Sequence, residues 1–362
     1  MPEGKHPSSH LVLATLPGAV MAIVATVDLT AGPEVGFLPL VSLGPAFAGL
    51  VGTWRRTAVI GAVALLLCTT LGIYDGLLDS RRGYTALASV GGVTAAGVTA
   101  AVMRGRREAE LATMRSIAEV AQRVLLRPVP RTAGPLQIAV SYTSAVADAR
   151  IGGDLYEVVA TPHGVRVIVG DVQGKGLAAV ESAAVVLGAF REAAHDEPDL
   201  LALGARLDRS ISRDLNSEKF VTAVLAEVGP EEGRAVFLNY GHPPPLILHR
   251  DGGVHFPQPP SYALPLGLSG MHGGNDPQPF SVGFTPGEQI LLYTDGISEA
   301  RDADGSFYPL GDRAALLRTA DAQNALDLLR EDVAQHSDGL QHDDAALLLL
   351  RYHAHTEAAG SP

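Results

Sequence analysis

The chain has 362 residues, 47% of them hydrophobic, a formal net charge of −12 and a mean hydropathy of +0.18. This length leaves room for two or three domains, and a positive mean hydropathy indicates a membrane portion beside a globular one. Cys68 is the single cysteine, which excludes an internal disulfide.

Charge is distributed unevenly along the chain. Residues 1–134 carry a formal charge of +4, and the remainder carries −16. Nucleic-acid binding needs a basic surface, so the acidic part predicts no nucleic-acid partner. An acidic surface suits a site that gathers divalent cations.

Four stretches of the first hundred residues contain no Asp, Glu, Lys or Arg. They are residues 11–27, 35–54, 57–74 and 83–103. Each approaches the roughly 20 residues that a helix needs to cross a bilayer. The sequence therefore predicts four transmembrane spans over residues 1–103, an anchor or sensor, with a buried helical core as the alternative interpretation.

Basic residues in short loops predict the orientation of these spans. If all four segments cross, one side receives Lys5, Arg55, Arg56, Arg104, Arg106 and Arg107. That side is expected to be the cytoplasm, although Arg81 and Arg82 fall on the other side. The prediction is a multi-pass protein of the plasma (inner) membrane with its C-terminal domain in the cytoplasm.

A helical connector follows over residues 104–134. Its apolar residues alternate at spacings of three and four, at Leu111, Met114, Ala118, Ala121 and Leu125. This pattern fits a helix packed on its own domain, and it equally fits a short coiled coil that pairs two chains. The prolines of "RPVPRTAG" (127–134) end the helix and predict a domain boundary.

From residue 135 the pattern changes to β-branched, partly alternating segments with helices in two blocks. The predicted strands are 136–143, 155–161, 165–171, 220–228, 234–240, 245–250, 289–296 and a closing strand, "DAALLLLRY". The predicted helices are 176–195, 197–215, 310–318 and 322–335. Strands joined by short gaps, with helices in blocks, predict antiparallel sheets covered by helices, an α+β domain.

Acidic residues stand where several apolar strands end. They are Asp154, Asp171, Asp295 and the pair Asp343–Asp344. Asp is a common turn residue, so each alone has a structural explanation. Adjacent strands can bring their ends together, however, and clustered carboxylates repel unless cations offset their charge. Oxygen ligands of this kind select hard ions such as Mg²⁺ or Mn²⁺.

The stretch "VIVGDVQGKGLAAVESAA" (167–184) is not a phosphate-binding P-loop. Gly170 and Gly174 enclose only three residues, and Gly176 follows Lys175 where a hydroxyl residue is needed. The glycines let the backbone approach an ion closely, so the carbonyl of Val172 is a candidate ligand beside Asp171.

Six motifs occur in the order found in bacterial PP2C-like serine/threonine phosphatases of the SpoIIE/RsbU type. They are "IGGDLYE", "GDVQGKGLAA", "NYGHPPPLIL", "LPLGL", "LLYTDGISEARD" and "HDDAALLLL". The resemblance covers about 135–352. The apolar spans and "AQRVLLRPVP" also resemble membrane-bound actinobacterial members.

The resemblance implies a four-layer α-β-β-α sandwich over residues 135–353, with a disordered tail at 354–362, and two Mn²⁺ or Mg²⁺ ions at one end of the sheets. Asp171 would bridge both ions, and the Val172 carbonyl would complete one site. Asp295 and Asp343 would hold the second ion, with Asp344 as the alternative to Asp343, and Asp154 would bind directly or through water. Asp154 and Asp171 are the expected catalytic residues.

The activity implied by the resemblance is metal-dependent hydrolysis of phosphoserine and phosphothreonine on a protein, with a phosphorylated anti-sigma-factor antagonist as the expected substrate. The connector helix would pair two copies into a homodimer. An inactive phosphatase-like signalling scaffold in the membrane is the second hypothesis, and a transporter with a regulatory tail is the third. His242, in "NYGHPPP", is expected to support a loop.

Overall fold

The computed structural model describes residues 7–31, 37–143, 152–214, 219–229, 233–268, 275–338 and 344–353. It divides into two compact units, residues 1–113 and 114–362.

The first unit is helical. Its helices are α1 (Pro7–Ala31), α2 (Leu43–Val51), which follows a 3₁₀ turn at Leu38–Ser42, α3 (Trp54–Tyr74) and the first part of α4 (Arg81–Leu125). Helices α2 and α4 approach closely because Gly49 lies against Gly97: a Cβ on Gly49 would come within 2.8 Å of the Gly97 Cα. Small residues at a helix crossing permit such an approach.

Among the residues that the structure describes, two helices, α3 and α4, are long and apolar enough to cross a membrane. The apolar parts of the other two segments, Thr15–Thr30 and Leu38–Val51, are shorter. The second predicted span is helical only over Leu38–Val51, where the 3₁₀ turn continues directly into α2, and is too short for a span. The expectation of four transmembrane helices is therefore not confirmed.

The second unit contains two antiparallel sheets. The first sheet has the order β1-β2-β11-β10-β7-β8, and the second has the order β3-β4-β5-β6-β9. The strands are β1 (Thr132–Ala133), β2 (Leu136–Thr143), β3 (Asp154–Thr161), β4 (Gly164–Val172), β5 (Val221–Val228), β6 (Arg234–Tyr240), β7 (Leu246–Leu248), β8 (Val254–His255), β9 (Phe280–Gly283), β10 (Gln289–Tyr293) and β11 (Ala345–Tyr352).

Helices cover the outer faces of the two sheets. Helices α5 (Leu177–Asp196) and α6 (Leu200–Asp214) pack on the second sheet. Helix α9 (Ala322–His336) packs on the first sheet, beside the short α8 (Leu310–Arg313) and a 3₁₀ turn at Ala314–Arg318. A third apolar cluster lies between the sheets.

Side chains of β11 show how the sequence produces these layers. Leu347 and Leu349 face the helical layer, whereas Leu348 and Leu350 face the other sheet. Successive residues of a strand point to opposite faces, and both faces of β11 are covered. A strand buried on both sides reads as a continuous apolar run, which is what "AALLLL" shows.

The end of α4, from residue 114, belongs to the second unit and packs against α5. Ala118, Ala121 and Leu125 form a small apolar cluster with Val180 of α5. Leu111 and Met114, from the same predicted stripe, are exposed. The later half of the stripe is thus packed on its own domain, which agrees with one of the two interpretations of this pattern. The predicted domain boundaries between residues 103 and 104 and between residues 134 and 135 stay predictions.

Candidate metal centre

Asp154 and Asp171 lie opposite each other on neighbouring strands. Asp154 is the first residue of β3, and its partner in the antiparallel register with β4 is Asp171. Directly opposed residues of an antiparallel pair have Cβ atoms about 4.5–5.5 Å apart. Register alone therefore brings together two carboxyl groups that are 17 positions apart in the sequence.

Asp295 begins the short helix α7 (Asp295–Ser298), one residue after the end of β10. The predicted strand 289–296 was too long, because β10 ends at Tyr293. Between strand and helix stands Thr294, which is fully buried. Its hydroxyl donates to Asp154 Oδ2 at 2.7 Å and accepts from the Ala346 backbone N–H at 2.9 Å. Thr294 thus joins the first sheet to the acid of the second sheet.

Asp344, just before β11, also lies at this end of the sheets. It is 3% exposed. A Cβ placed on Gly152 would fall 1.4 Å from Asp344 Oδ2, so this carboxyl group lies directly against the Gly152 backbone. Asp343, the preferred ligand from the sequence, lies outside the described residues.

Gly152 and Gly153 leave room that a side chain would fill. A Cβ on Gly153 would come within 2.2 Å of the Val172 carbonyl oxygen and 2.7 Å of Asp171 Oδ1. The Gly153 carbonyl also accepts a hydrogen bond from the Val172 N–H at 3.1 Å. Two predicted ligands, the Asp171 side chain and the Val172 carbonyl, therefore lie against the same glycine.

Charge repulsion within this cluster is visible in one carboxyl group. The pKa of Asp154 is raised well above its ordinary value, first by burial and then by the negative charge of Asp171. Asp344 and Asp295 contribute smaller effects in the same direction, and the hydrogen bond from Thr294 opposes them. Three acids from separate motifs thus act electrostatically on Asp154.

The donor atoms of these residues are of the kind that binds divalent cations. Carboxylate and carbonyl oxygens are the donors that Mg²⁺ and Mn²⁺ prefer, and the glycines keep Cβ atoms out of the space between them. Within the described ranges, no three Asp, Glu, His or Cys side chains form a ready metal-ligand group. The predicted set is described only in part, since Asp343 falls outside those ranges.

His242 links the two sheets beside the acids. Its Nε2 lies 3.1 Å from the carbonyl oxygen of Tyr293 in β10, and its Nδ1 lies 3.2 Å from the hydroxyl of Thr222 in β5. Since a carbonyl only accepts, Nε2 carries the proton and Nδ1 accepts from Thr222. Burial lowers the pKa of His242 to about 3. A neutral, hydrogen-bonded imidazole agrees with the expected supporting role.

Sequence reasoning missed Thr294, Gln122 and Tyr142. The Nε2 of Gln122, near the end of α4, donates to the Tyr142 hydroxyl at 2.7 Å and to the Gly152 carbonyl at 3.3 Å. Thr294 directly precedes the predicted ligand Asp295 in "YTDG", and this adjacency was the only feature of the sequence that pointed to it. Gln122 lies in a helix separated from the site by a predicted domain boundary.

Comparisons with known proteins agree with this architecture. A family model described as Stage II sporulation protein E (SpoIIE) matches residues 161–353. The chain is 23% identical over 210 residues to the phosphoserine phosphatase RsbU of Bacillus subtilis, a match that covers 57% of this chain and 61% of RsbU.

The solved structures similar to this one include two that match well over half of the chain. The RsbU and RsbW domains of Rv1364c from Mycobacterium tuberculosis match with 25% identity and a TM-score of 0.53, covering 63% of each chain. The SiaA-PP2C domain of Pseudomonas aeruginosa matches with 18% identity and a TM-score of 0.58, covering 68% of this chain and 98% of that one. The matches span less than two thirds of RsbU and of the Rv1364c chain.

Proposed function

The chain belongs to the SpoIIE family of PP2C-type phosphatases, and we propose that it hydrolyses phosphoserine and phosphothreonine on a partner protein with the help of two divalent cations. The observation that carries the proposal is the convergence of three acids on one short segment: Asp171 lies opposite Asp154 and against Gly153, and Asp344 lies against Gly152. The pKa of Asp154 is raised by burial first, then by the charge of Asp171, with smaller effects from Asp344 and Asp295.

Two Mn²⁺ or Mg²⁺ ions are the cofactors we propose. Asp171 and the Val172 carbonyl would hold one ion, Asp295 and Asp343 the other, and Asp154 would bind directly or through water. When bound, such ions supply a polarised water for attack on phosphorus and offset charge on the phosphoryl oxygens.

The described residues around the acids orient them. Thr294 holds one oxygen of Asp154, which leaves the other oxygen of that carboxylate for a cation or its water. Gly153 brings the Val172 carbonyl and Asp171 to one place. Because Asp154 tends to retain a proton, cation binding and proton release are coupled at this site.

The proposed substrate is a phosphorylated signalling protein, specifically an anti-sigma-factor antagonist. Support comes from the resemblance to RsbU, which is named as a phosphoserine phosphatase. Residues 135–362 carry a net charge of −16, which does not favour a nucleic-acid partner.

We also propose that residues 1–103 form a multi-pass anchor in the plasma membrane, with the phosphatase unit in the cytoplasm. The length and apolarity of α3 and α4 support this proposal. Arg104 donates to the carbonyls of Leu50 and Gly52 at 2.7 and 2.8 Å, which gathers positive charge at one end of the helices. The positive-inside rule assigns that end to the cytoplasm.

A homodimer through the connector helix is part of the same proposal. Ile117, Val120 and Val124 are more than half exposed, although all three are apolar. Their spacing of three and four residues places them along one stripe of α4. This stripe, rather than the residues packed on α5, is the seam we propose for pairing two copies.

The decisive experiment measures phosphate release from phosphoserine and phosphothreonine peptides by the full-length chain, with Mn²⁺ and then with excess EDTA. We expect hydrolysis that requires Mn²⁺. The competing hypothesis is an inactive phosphatase-like scaffold. A calorimetric Mn²⁺ titration separates the two, because a scaffold that has lost its ligands neither binds Mn²⁺ nor releases phosphate.

A further inference from the structure

Gln122 is a buried amide at the border of the acid cluster. It belongs to the last turn of α4 and is 8% exposed. Its side-chain nitrogen donates to the Tyr142 hydroxyl at 2.7 Å and to the Gly152 carbonyl at 3.3 Å. One amide group therefore connects α4, strand β2 of the first sheet and the segment that enters β3 of the second sheet.

Both acceptors of Gln122 lie next to the acids. The carboxyl group of Asp344 rests on Gly152, and Asp154 follows two residues later. The pKa of Tyr142 is raised by burial first and then by the charges of Asp344 and Asp154. A change at Gln122 is therefore transmitted to the backbone on which these carboxyl groups depend.

Docking of the helix does not by itself require an amide at position 122. Ala118, Ala121 and Leu125 already pack against Val180, and Arg191 donates to the Leu125 carbonyl at 2.9 Å. An apolar residue of equal length would satisfy the same packing without the cost of burying a polar group. The amide is explained by its two acceptors.

We propose that Gln122 is a positioning residue of the phosphatase site, which fixes the Gly152 carbonyl and thereby the placement of Asp154 and Asp344. This inference rests on the proposed function. Residues that orient metal ligands from outside typically change metal affinity 10–100-fold when they are removed. Gln122 should therefore affect the cation requirement more than the turnover at saturating cation.

The test compares Gln122→Met with Gln323→Met in the full-length chain. Met matches the length of Gln and has no hydrogen-bond donor. Gln323 is a matched control, because its amide donates to the Val140 carbonyl of the same strand β2 at 3.2 Å, on the exposed side of α9. The probes are Mn²⁺ and p-nitrophenyl phosphate, and calorimetry measures Mn²⁺ binding directly.

We expect Gln122→Met to raise the Mn²⁺ concentration for half-maximal hydrolysis about tenfold, with faster amide exchange over residues 152–156. Gln323→Met should change neither. An unchanged Mn²⁺ requirement in a folded Gln122→Met protein would overturn the inference, as would an equal shift in Gln323→Met. If Gln122→Met fails to fold, Gln122→Asn, one methylene shorter, must show the same shift.

Failure of the proposed function gives a different result. In that case the wild-type chain itself shows no Mn²⁺-dependent hydrolysis, whereas failure of the inference leaves wild-type activity intact and the variant indistinguishable from it.

Discussion

Asp154 and Asp171 face each other across the β3–β4 ladder, so two carboxyl groups occupy one cross-strand pair. Like charges directly opposite each other destabilise a sheet. The pair lies at the ends of two strands, where burial first and then the charge of Asp171 raise the pKa of Asp154. This arrangement is costly for stability and useful for binding cations.

Asp171→Asn should abolish Mn²⁺-dependent hydrolysis, with kcat reduced about 10³-fold or more, a loss of about 4 kcal/mol of transition-state stabilisation. Without cations the variant should be as stable as the wild type, or more stable by up to about 1 kcal/mol, because the cross-strand repulsion is relieved. Steady-state assays and calorimetric melting in EDTA measure the two effects. Asp304→Asn, in an exposed turn, is the control. Undiminished hydrolysis by Asp171→Asn contradicts the assigned role.

Asp343 and Asp344 can be separated by paired amide variants. We expect Asp343→Asn to lose Mn²⁺ binding in calorimetry. Asp344 lies against the Gly152 backbone, and an amide there preserves shape, so Asp344→Asn should keep hydrolysis within about tenfold, or about 1.4 kcal/mol. The reverse order of effects would make Asp344 the ligand.

Gly153→Ala should inactivate the protein by sterics alone. The new methyl group would meet the Val172 carbonyl and the Asp171 carboxylate, and backbone atoms cannot yield as a flexible side chain can. Gly188→Ala, on the exposed side of α5 where nothing lies within 4 Å, should instead stabilise by about 1 kcal/mol. Melting temperature and Mn²⁺-dependent hydrolysis are measured for both. Normal activity in Gly153→Ala would show that the site does not need the close approach.

Thr294→Val should leave the Ala346 N–H unpaired and free one oxygen of Asp154. A buried donor without a partner costs about 1–3 kcal/mol, and we expect a matching loss in melting experiments together with weaker Mn²⁺ binding. Thr294→Ser keeps the hydroxyl and should restore the binding. If Val and Ser variants bind Mn²⁺ equally, the hydroxyl does not orient Asp154.

The burial of neutral His242 predicts that the protein loses stability in mild acid. Its pKa in the folded protein is about 3, whereas an exposed histidine titrates near 6.5. Below about pH 6.5, His242 therefore binds a proton in the unfolded chain but stays neutral in the folded chain. Stability is full above that pH and falls as the pH approaches 3, by about 2 kcal/mol at pH 5.

His242→Gln keeps a donor toward the Tyr293 carbonyl and cannot titrate. Its unfolding free energy, measured by calorimetry between pH 7.5 and 5, should fall less steeply with acid than that of the wild type. Parallel slopes for the two proteins would exclude His242 as the source of the acid sensitivity.

Much of the second unit could be predicted from the sequence. The strand 136–143 matches β2, and the helix 176–195 differs from α5 by one residue at each end. Strands buried on both faces, such as β11, give continuous apolar runs that are easy to recognise. The acids were found because each stands where such a run ends.

Contacts between distant segments could not be predicted. The Thr294 hydroxyl contacts a residue 140 positions away, and no periodicity encodes that pairing. The stripe on α4 was read correctly as apolar, but its division into packed and exposed halves depends on where α5 lies. The second apolar stretch contains enough apolar residues for a span, yet its described helix covers only Leu38–Val51.

The end of α4 also determines where the chain can be shortened. A fragment that starts at β2 would lose Ala118, Gln122 and Leu125, which would leave Val180 and the Tyr142 hydroxyl open to water. A fragment trimmed to the sheets and their covering helices would therefore be tested without the Gln122 contacts beside the acids. A fragment beginning near residue 114 retains the final turns of α4, which belong to the second unit.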